Sequence, residues 1–333
     1  MKILFDHPHP FFLAHGGLQT QIEQTRQALL RLGVEVEWLR WWDDSVTGDL
    51  IHYFGRPSPA YVEFAHGRGL KVVVAELLTG LGSRGELARR LQTAAIALLR
   101  RNPFFDRMGW ISYQTADAAV ALTPWEAQLM QEVFGAPEER VHVVPNGVEE
   151  VFLQGAPGVE RGRWLVCTAT IAPRKRVVEL AAAAVAAGTP VWILGRPYAE
   201  EDGYARQFRE LCAAHPDVLR YEGGVSDRGQ LARIYAEARG FVLLSTMESL
   251  SLSALEAAAC GCPLLLSDLP WARTTFGSGA RYCPMAGAET TAPVLREFYE
   301  VAPGLPRPAR PASWDEVGAQ LREIYAGLLK RRA

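Results

Sequence analysis

The sequence has no uninterrupted apolar run of the roughly 18 residues that crossing a bilayer requires. Its start also lacks the pattern of a cleaved leader. These absences point to a cytoplasmic chain without a membrane span. A dominant charge is missing too. Lys and Arg total 35 against 37 Asp and Glu, a net charge of −2, so no general attraction to nucleic acid is expected. Cysteine is scarce, at five residues: Cys167, Cys212, Cys260, Cys262 and Cys283. Their number is odd and their spacing unpaired, and Cys260-Gly-Cys262 is too tight for a zinc knuckle by itself. All five read as reduced core thiols. No Asp-x-Asp occurs, so the expected metal set is none.

What is present is a chain of 333 residues, 49% of them hydrophobic, long enough for two domains with separate cores. It is organised around Phe241 to Pro270, FVLLSTMESLSLSALEAAACGCPLLLSDLP. Phe241 to Leu244 reads as a buried strand, and Ser245 to Ser249 as a polar turn. Ser253 to Ala259 is an Ala-rich helix stopped by Gly261, and Pro263 leads into a second buried strand. Strand, loop, helix, strand is the unit of a parallel sheet, in which ligands sit beyond the carboxyl ends of strands. The helix start suits a phosphate. Glu248 and Glu256 bracket the loop with seven residues between them. Structural readings compete with functional ones here: Ser253-x-x-Glu256 is also a capping box, and Glu248 also suits a solvated loop.

This Glu-x7-Glu between strand and helix, followed by Ala-x-Ala-x-Gly-x-Pro, resembles the retaining glycosyltransferases of the GT-B fold, the family 4 (group 1) type. The resemblance implies two Rossmann-like doubly wound α/β domains facing a central cleft, with a C-terminal helix crossing back to the first. It implies that Glu248 lies near the donor sugar and that Glu256 binds the ribose of the nucleotide. Ser249, Leu250, Ser251, Leu252 and Ser253 would bind the donor, with the N–H groups of Ser251 to Ser253 on its diphosphate. The donor is a nucleotide-diphosphate sugar, a substrate rather than a cofactor.

In chain order, Lys2 to Asp6 is a strand, the loop through His7-Pro-His-Pro10 ends at His15-Gly16-Gly17, and a helix runs from about Leu18 to Leu32. Gly16-Gly17 permits close backbone approach to a ligand, as a tight turn also would. It is not the dinucleotide fingerprint. The family has a glycine loop here, which makes Gly16 and Gly17 donor-side candidates by resemblance. His52, inside the strand Leu50 to Phe54, reads as a packed side chain. Many family members carry a histidine after the next strand, but Glu76-Leu-Leu-Thr-Gly80 has none. The mechanism then proceeds without it or with His7, His9 or His15. From Arg84 to Arg107 there are six arginines against Glu86 and Asp106. Leu87, Leu91, Ala94, Ala95 and Leu98 recur at helical spacing. A solvated helix with its apolar side in the core is the favoured reading, and peripheral contact with an anionic inner membrane face through 84–107 is the other.

In the second half, Thr170 to Arg176 follows a strand and sets Arg174, Lys175 and Arg176 at a helix start. Three cations there oppose the helix dipole, which an anion would relieve. By resemblance Lys175 matches the lysine on the donor diphosphate, and Arg174 stands in for an arginine whose usual position holds Thr170. Val225 matches backbone that meets the nucleobase, while Ser226 or Asp227 caps the following helix. Pro303 to Pro311 reads as a stiff connector before a last amphipathic helix. The domains are expected at 1–155 (acceptor side), 156–312 (donor side) and 313–333 (returning helix).

The function these readings imply is retaining transfer of a sugar from a nucleotide-diphosphate sugar to a glycan, lipid-linked or small-molecule acceptor, with Glu248, Lys175 and Arg174 at the reacting centre. A nucleotide-sugar epimerase or sugar phosphorylase on the same scaffold, or a non-catalytic sugar-nucleotide binding protein, are the alternatives.

Overall fold

A computed structural model describes residues 1–9, 16–154 and 159–330. His15, and the expected boundary at 155/156, lie outside the described residues. The chain separates into two compact units, Met1–Gly147 with Trp314–Ala333, and Val148–Ser313. The division falls at 147/148 because Glu150–Leu153 already packs in the second unit, where Phe152 is wholly buried in the core.

The first unit runs β1 (Lys2–Asp6), α1 (Gly17–Arg31), β2 (Glu35–Trp38), β3 (Leu50–Phe54), α2 (Pro59–Gly67), β4 (Lys71–Ala75), α3 (Thr79–Gly82), α4 (Glu86–Leu99), α5 (Ser112–Thr115), β5 (Ala118–Ala121), α6 (Pro124–Phe134) and β6 (Val141–Val143). The second comprises α7 (Glu150–Leu153), β7 (Leu165–Thr168), α8 (Val177–Ala187), β8 (Val191–Leu194), α9 (Gly203–Ala214), β9 (Leu219–Tyr221), α10 (Arg228–Glu237), β10 (Gly240–Leu243), α11 (Leu252–Ala259), β11 (Leu264–Ser267), α12 (Pro270–Phe276), β12 (Arg281–Cys283) and α13 (Ala288–Val301). Helix α14 (Trp314–Lys330) then returns to the first unit.

Each unit is built on one six-stranded parallel sheet, ordered β2-β1-β3-β4-β5-β6 and β12-β11-β10-β7-β8-β9. The central strands are apolar along their whole length, because helices cover both faces of such a sheet. Val72 to Val74 and Phe241 to Leu243 show this, all buried. Register is explicit: Ile3 pairs with Leu50, and Phe241 with Leu264. In each sheet the order reverses beside the first strand of the unit, β1 or β7. That is where a doubly wound sheet opens a crevice at its carboxyl edge.

Local chemistry sets the boundaries. Ser58 and Thr123 cap α2 and α6 through their side-chain oxygens, each with proline at the first helical position. Asp227 caps α10, accepting from Gln230 N at 2.8 Å. In α14, Tyr325 is buried and its hydroxyl meets His52 Nδ1 at 2.5 Å, while His52 stacks on Phe54. His52 is thus a packed strand residue. Burial pushes its imidazole down to about 3, which holds the ring neutral.

Helix α4 departs from the favoured reading. Its apolar stripe does not enter the core: Leu87 is 73% exposed and Leu98 81%, with Leu91 and Ala94 exposed beside them. The residue that α4 buries is Ile96, on the opposite face.

Candidate active site

The site assembles where three connections meet at the carboxyl edge of the second sheet. After β7 the chain turns through one 3₁₀ turn, Pro173–Lys175, and Arg176 then adopts a left-handed conformation (φ 53°) before α8 begins at Val177. The expected single helix from the cation cluster is therefore broken at Arg176. The break separates the three cations. Arg176 is buried and turns inward to Met285 Sδ and the Ala286 carbonyl. Arg174 extends to Tyr198 Oη, 3.2 Å away. Lys175 points at the loop after β10, where its Nζ binds the carboxylate of Glu248.

That pairing has a backbone scaffold. Thr246 N donates to the Arg174 carbonyl at 2.8 Å, and Thr246 Oγ1 to the same oxygen at 3.2 Å. The Lys175 turn and the Glu248 loop are thus fastened one residue before and two residues before the charged pair. Both charged side chains are nearly buried, which makes their attraction stronger than a surface pair's. Gly195, after β8, packs directly against the backbone of Ala169, on the chain that leads into this turn. A Cβ on Gly195 would lie 1.8 Å from the Ala169 carbonyl oxygen, and its φ of 155° further favours glycine.

Helix α11 starts at Leu252, one residue before the expected start, because Ser251 caps it: its Oγ accepts from Ala254 N at 3.3 Å and lies 3.1 Å from Ser253 Oγ. The capping-box reading of Ser253 and Glu256 therefore falls. Glu256 is buried and binds the guanidinium of Arg228, with Tyr235 Oη at 3.5 Å. Burial raises the Glu256 carboxyl above its ordinary range, and Arg228 pulls it back down. Arg228 Nε also binds Glu149 at 2.7 Å, and its guanidinium lies 4.7 Å from the centre of the Phe152 ring. Arg228, Glu149 and Tyr235 were not visible in the sequence as site residues. Arg228 directly follows a capping Asp, a position that carries no signal of a partner 28 residues away.

Ser245, ahead of Glu248, and Ser249, directly after it, are buried, and their Oγ atoms have no partner among the described residues. Buried hydroxyls usually find one, so this loop holds unused hydrogen-bonding capacity. The structure therefore brings together Lys175, Arg174, Glu248, Ser249 to Ser253 and Glu256 in the second unit. Val225, partly buried, lies on the β9–α10 connection. Gly16 and Gly17 stand at the start of α1 in the first unit. No cluster of His, Cys, Asp and Glu able to hold a metal occurs among the described residues.

Residues 38–147 match the Glycosyl transferase 4-like domain, and residues 162–289 match Glycosyl transferases group 1. The chain belongs to the family 4 glycosyltransferases of the GT-B type. The group 1 match covers the Lys175 turn and both glutamates. The 4-like match begins after Gly16 and Gly17.

Curated relatives of this GT-B chain include D-inositol 3-phosphate glycosyltransferases. That of Streptosporangium roseum is 30% identical over 247 residues, covering 65% of this chain and 56% of the relative. That of Xylanimonas cellulosilytica is 27% identical over 248 residues, covering 65% and 58%. The MMP alpha-(1->4)-mannosyltransferase of Mycolicibacterium hassiacum is 29% identical over 214 residues, covering 60% and 51%. The chain thus spans about half the length of the curated relatives it matches. Among solved structures, sucrose-phosphate synthase from Thermosynechococcus elongatus aligns with a TM-score of 0.69 at 16% identity over 99% of both chains. AviGT4, a glycosyltransferase of avilamycin A biosynthesis, aligns at 0.62 and 17%, over 99% of this chain and 98% of its own. These likenesses establish the two Rossmann-like domains.

Proposed function

We propose that this GT-B glycosyltransferase moves a sugar from a nucleotide-diphosphate sugar to an acceptor with retention of anomeric configuration. The observation that carries the reading is the Lys175–Glu248 pair, fastened by Thr246 to the Arg174 carbonyl beside the capped start of α11. Lys175 and Arg174, with the α11 N-terminus, are suited to the charge that grows on a departing diphosphate. Protein cations thereby do the work a metal does elsewhere. Glu248 is suited to hold the sugar ring on the face the diphosphate leaves. Glu256, fixed by Arg228, is suited to the ribose, and Ser249 Oγ offers a free hydrogen bond. Several fold neighbours were solved with UDP, among them a pneumococcal O-GlcNAc transferase and Anabaena HepE. UDP is therefore the first donor nucleotide to test. A thermal-shift panel of UDP, GDP, ADP and their sugar conjugates checks the donor. A ligand bound by the native state alone raises the melting temperature, and a flat panel refutes the donor site. Proton NMR of the product's anomeric linkage checks retention.

The acceptor side admits a membrane component. The outward face of α4 carries Leu87, Leu91 and Leu98, continued by exposed Phe104, and exposed Arg84, Arg90, Arg101 and Arg107 flank it. Apolar residues ringed by cations fit an anionic lipid surface. Co-flotation with anionic vesicles at low salt is expected, and its absence refutes the contact. No helix among the described residues is long and apolar enough to cross a membrane.

A further inference from the structure

Three of the nine tryptophans fall within five residues, Trp38, Trp41 and Trp42. They sit on β2 and the turn that follows it, at the carboxyl edge of the first sheet. Trp38 is anchored edge-on against Phe5 of β1, at 6.1 Å between centroids. Trp41 and Trp42 are not anchored in a core: they are 77% and 82% exposed. Together with the flank of α1 they wall a recess of about 670 Å³, floored by Asp6 and His7. This is the size of a small-molecule site.

The turn that presents the two indoles is braced. Asp43 accepts from Arg40 Nε at 2.9 Å and Nη2 at 2.7 Å, and from Ser45 N and Oγ at 3.1 and 2.5 Å. Arg40 also reaches Glu37. A loop with no task for its tryptophans has no need of five such bonds, whereas a binding platform needs its aromatic faces held in place. The opposite wall is hydrophilic: Glu23, Gln24 and Gln27 project from α1. Arg26 lines the same wall, and its Nε is buried without a partner among the described residues.

Aromatic faces opposite amide and carboxylate side chains suit a ring with apolar C–H faces and hydroxyl edges. An aliphatic chain would leave the polar wall unpaired. A strong anion would meet Asp6 and Glu23 together with Arg26. We infer that this recess is a saccharide-binding subsite, in which Trp41 and Trp42 stack on a pyranose ring of the acceptor and the α1 wall takes its hydroxyls. The inference rests on the glycosyltransferase reading and adds to it an acceptor class, a glycan, together with the side chains that select it.

The test uses methyl α- and β-glucosides, mannosides and N-acetylglucosaminides and their disaccharides as probes. Tryptophan emission and saturation-transfer NMR report binding to the wild-type chain and to Trp41→Ala/Trp42→Ala. Expected is binding by at least one probe that falls about tenfold or more in the double variant, as loss of ring contacts predicts, with the nucleotide thermal shift unchanged. No probe bound by the wild type, or equal binding by the double variant, overturns the inference. A missing nucleotide shift in the wild type refutes the transferase reading instead, so the two failures are distinct. Asp43→Ala separates positioning from contact: it should raise the acceptor KM and leave kcat close to wild type. An equal fall in kcat would remove the platform role from the braced turn.

Discussion

Glu256 shows what a single residue can commit to. Its partner Arg228 is partly exposed and keeps Glu149 as a second carboxylate when Glu256 is removed, so the removal should act on nucleotide affinity more than on the fold of the sheet. The expected result for Glu256→Ala is a large loss of nucleotide-induced thermal shift, and unchanged affinity sinks the ribose assignment. Lys175→Met is a different experiment, because it strands a nearly buried Glu248 carboxylate. Breaking such a pair costs about 3 kcal/mol or more, so the variant should lose both melting temperature and transfer. Glu248→Gln keeps a hydrogen-bond acceptor for Lys175 and should lose transfer with a smaller stability change. Gly195→Ala drives a methyl into the Ala169 carbonyl. A loss of several degrees in melting temperature is expected, and a wild-type value would mean that the turn relaxes freely. Glu248 and Lys175 stood out in the sequence because each lies on a short connection after a strand, and Glu256 because it falls in the patterned helix α11; their roles came from the family resemblance. Arg228 did not stand out, because its role depends on a contact between distant segments. Arg176 was misread for a related reason: adjacent cations look equivalent in sequence, and the left-handed backbone that turns one of them inward is not visible there.

At the scale of elements, the alternation of apolar runs with helices was readable through most of both units, since central parallel strands are apolar along their whole length and caps such as Ser58, Thr123 and Asp227 have short-range signatures; short helices such as α12 were not read. What could not be read was which side of an amphipathic helix meets the protein. Periodicity in α4 marks the stripe of Leu87, Leu91 and Leu98 equally well whether it faces a core or solvent. The buried Ile96 decides it. Leu91→Glu/Leu98→Glu should abolish vesicle flotation with little change in melting temperature, because surface substitutions commonly lie within about 0.5 kcal/mol. A large destabilisation would mean instead that the stripe is packed. The braced turn after β2 carries a pH prediction. Hydrogen bonds from Ser45 and the Arg40 guanidinium lower the Asp43 carboxyl from 3.8 to about 2. A lowered carboxyl stabilises above its unfolded value and loses that contribution as pH falls through the folded one. Tryptophan emission should therefore change between about pH 4 and 2, and this component should be absent in the Trp41→Ala/Trp42→Ala variant.

For the whole molecule, the composition of the first unit from two separate stretches of chain has energetic weight. Helix α14 buries Trp314, Val317, Leu321, Tyr325 and Leu328. Gly318 lets it approach α1 closely, since a Cβ there would sit 3.0 Å from that of Ala28. Arg31 and Asp315 join the same pair of helices. Each large apolar side chain contributes roughly 1.5–3 kcal/mol on burial, so the five together rival the 5–15 kcal/mol that holds a typical domain folded. Deletion from residue 314 onward should leave the first unit largely unfolded by tryptophan emission, and a cooperative wild-type transition would refute this.

The same discontinuity fixes a sequence of events during synthesis. The second unit is one continuous stretch, available for folding as soon as Ser313 has left the ribosome. The first unit begins to emerge before the second yet must wait for α14, which is made only after the whole of the second unit. Until then the surfaces of α1 and β3 that will receive Trp314 and Tyr325 stay open, so the earlier of the two units is completed after the later one, and the growing chain is exposed to chaperones and proteases through it for as long as the second unit takes to be made.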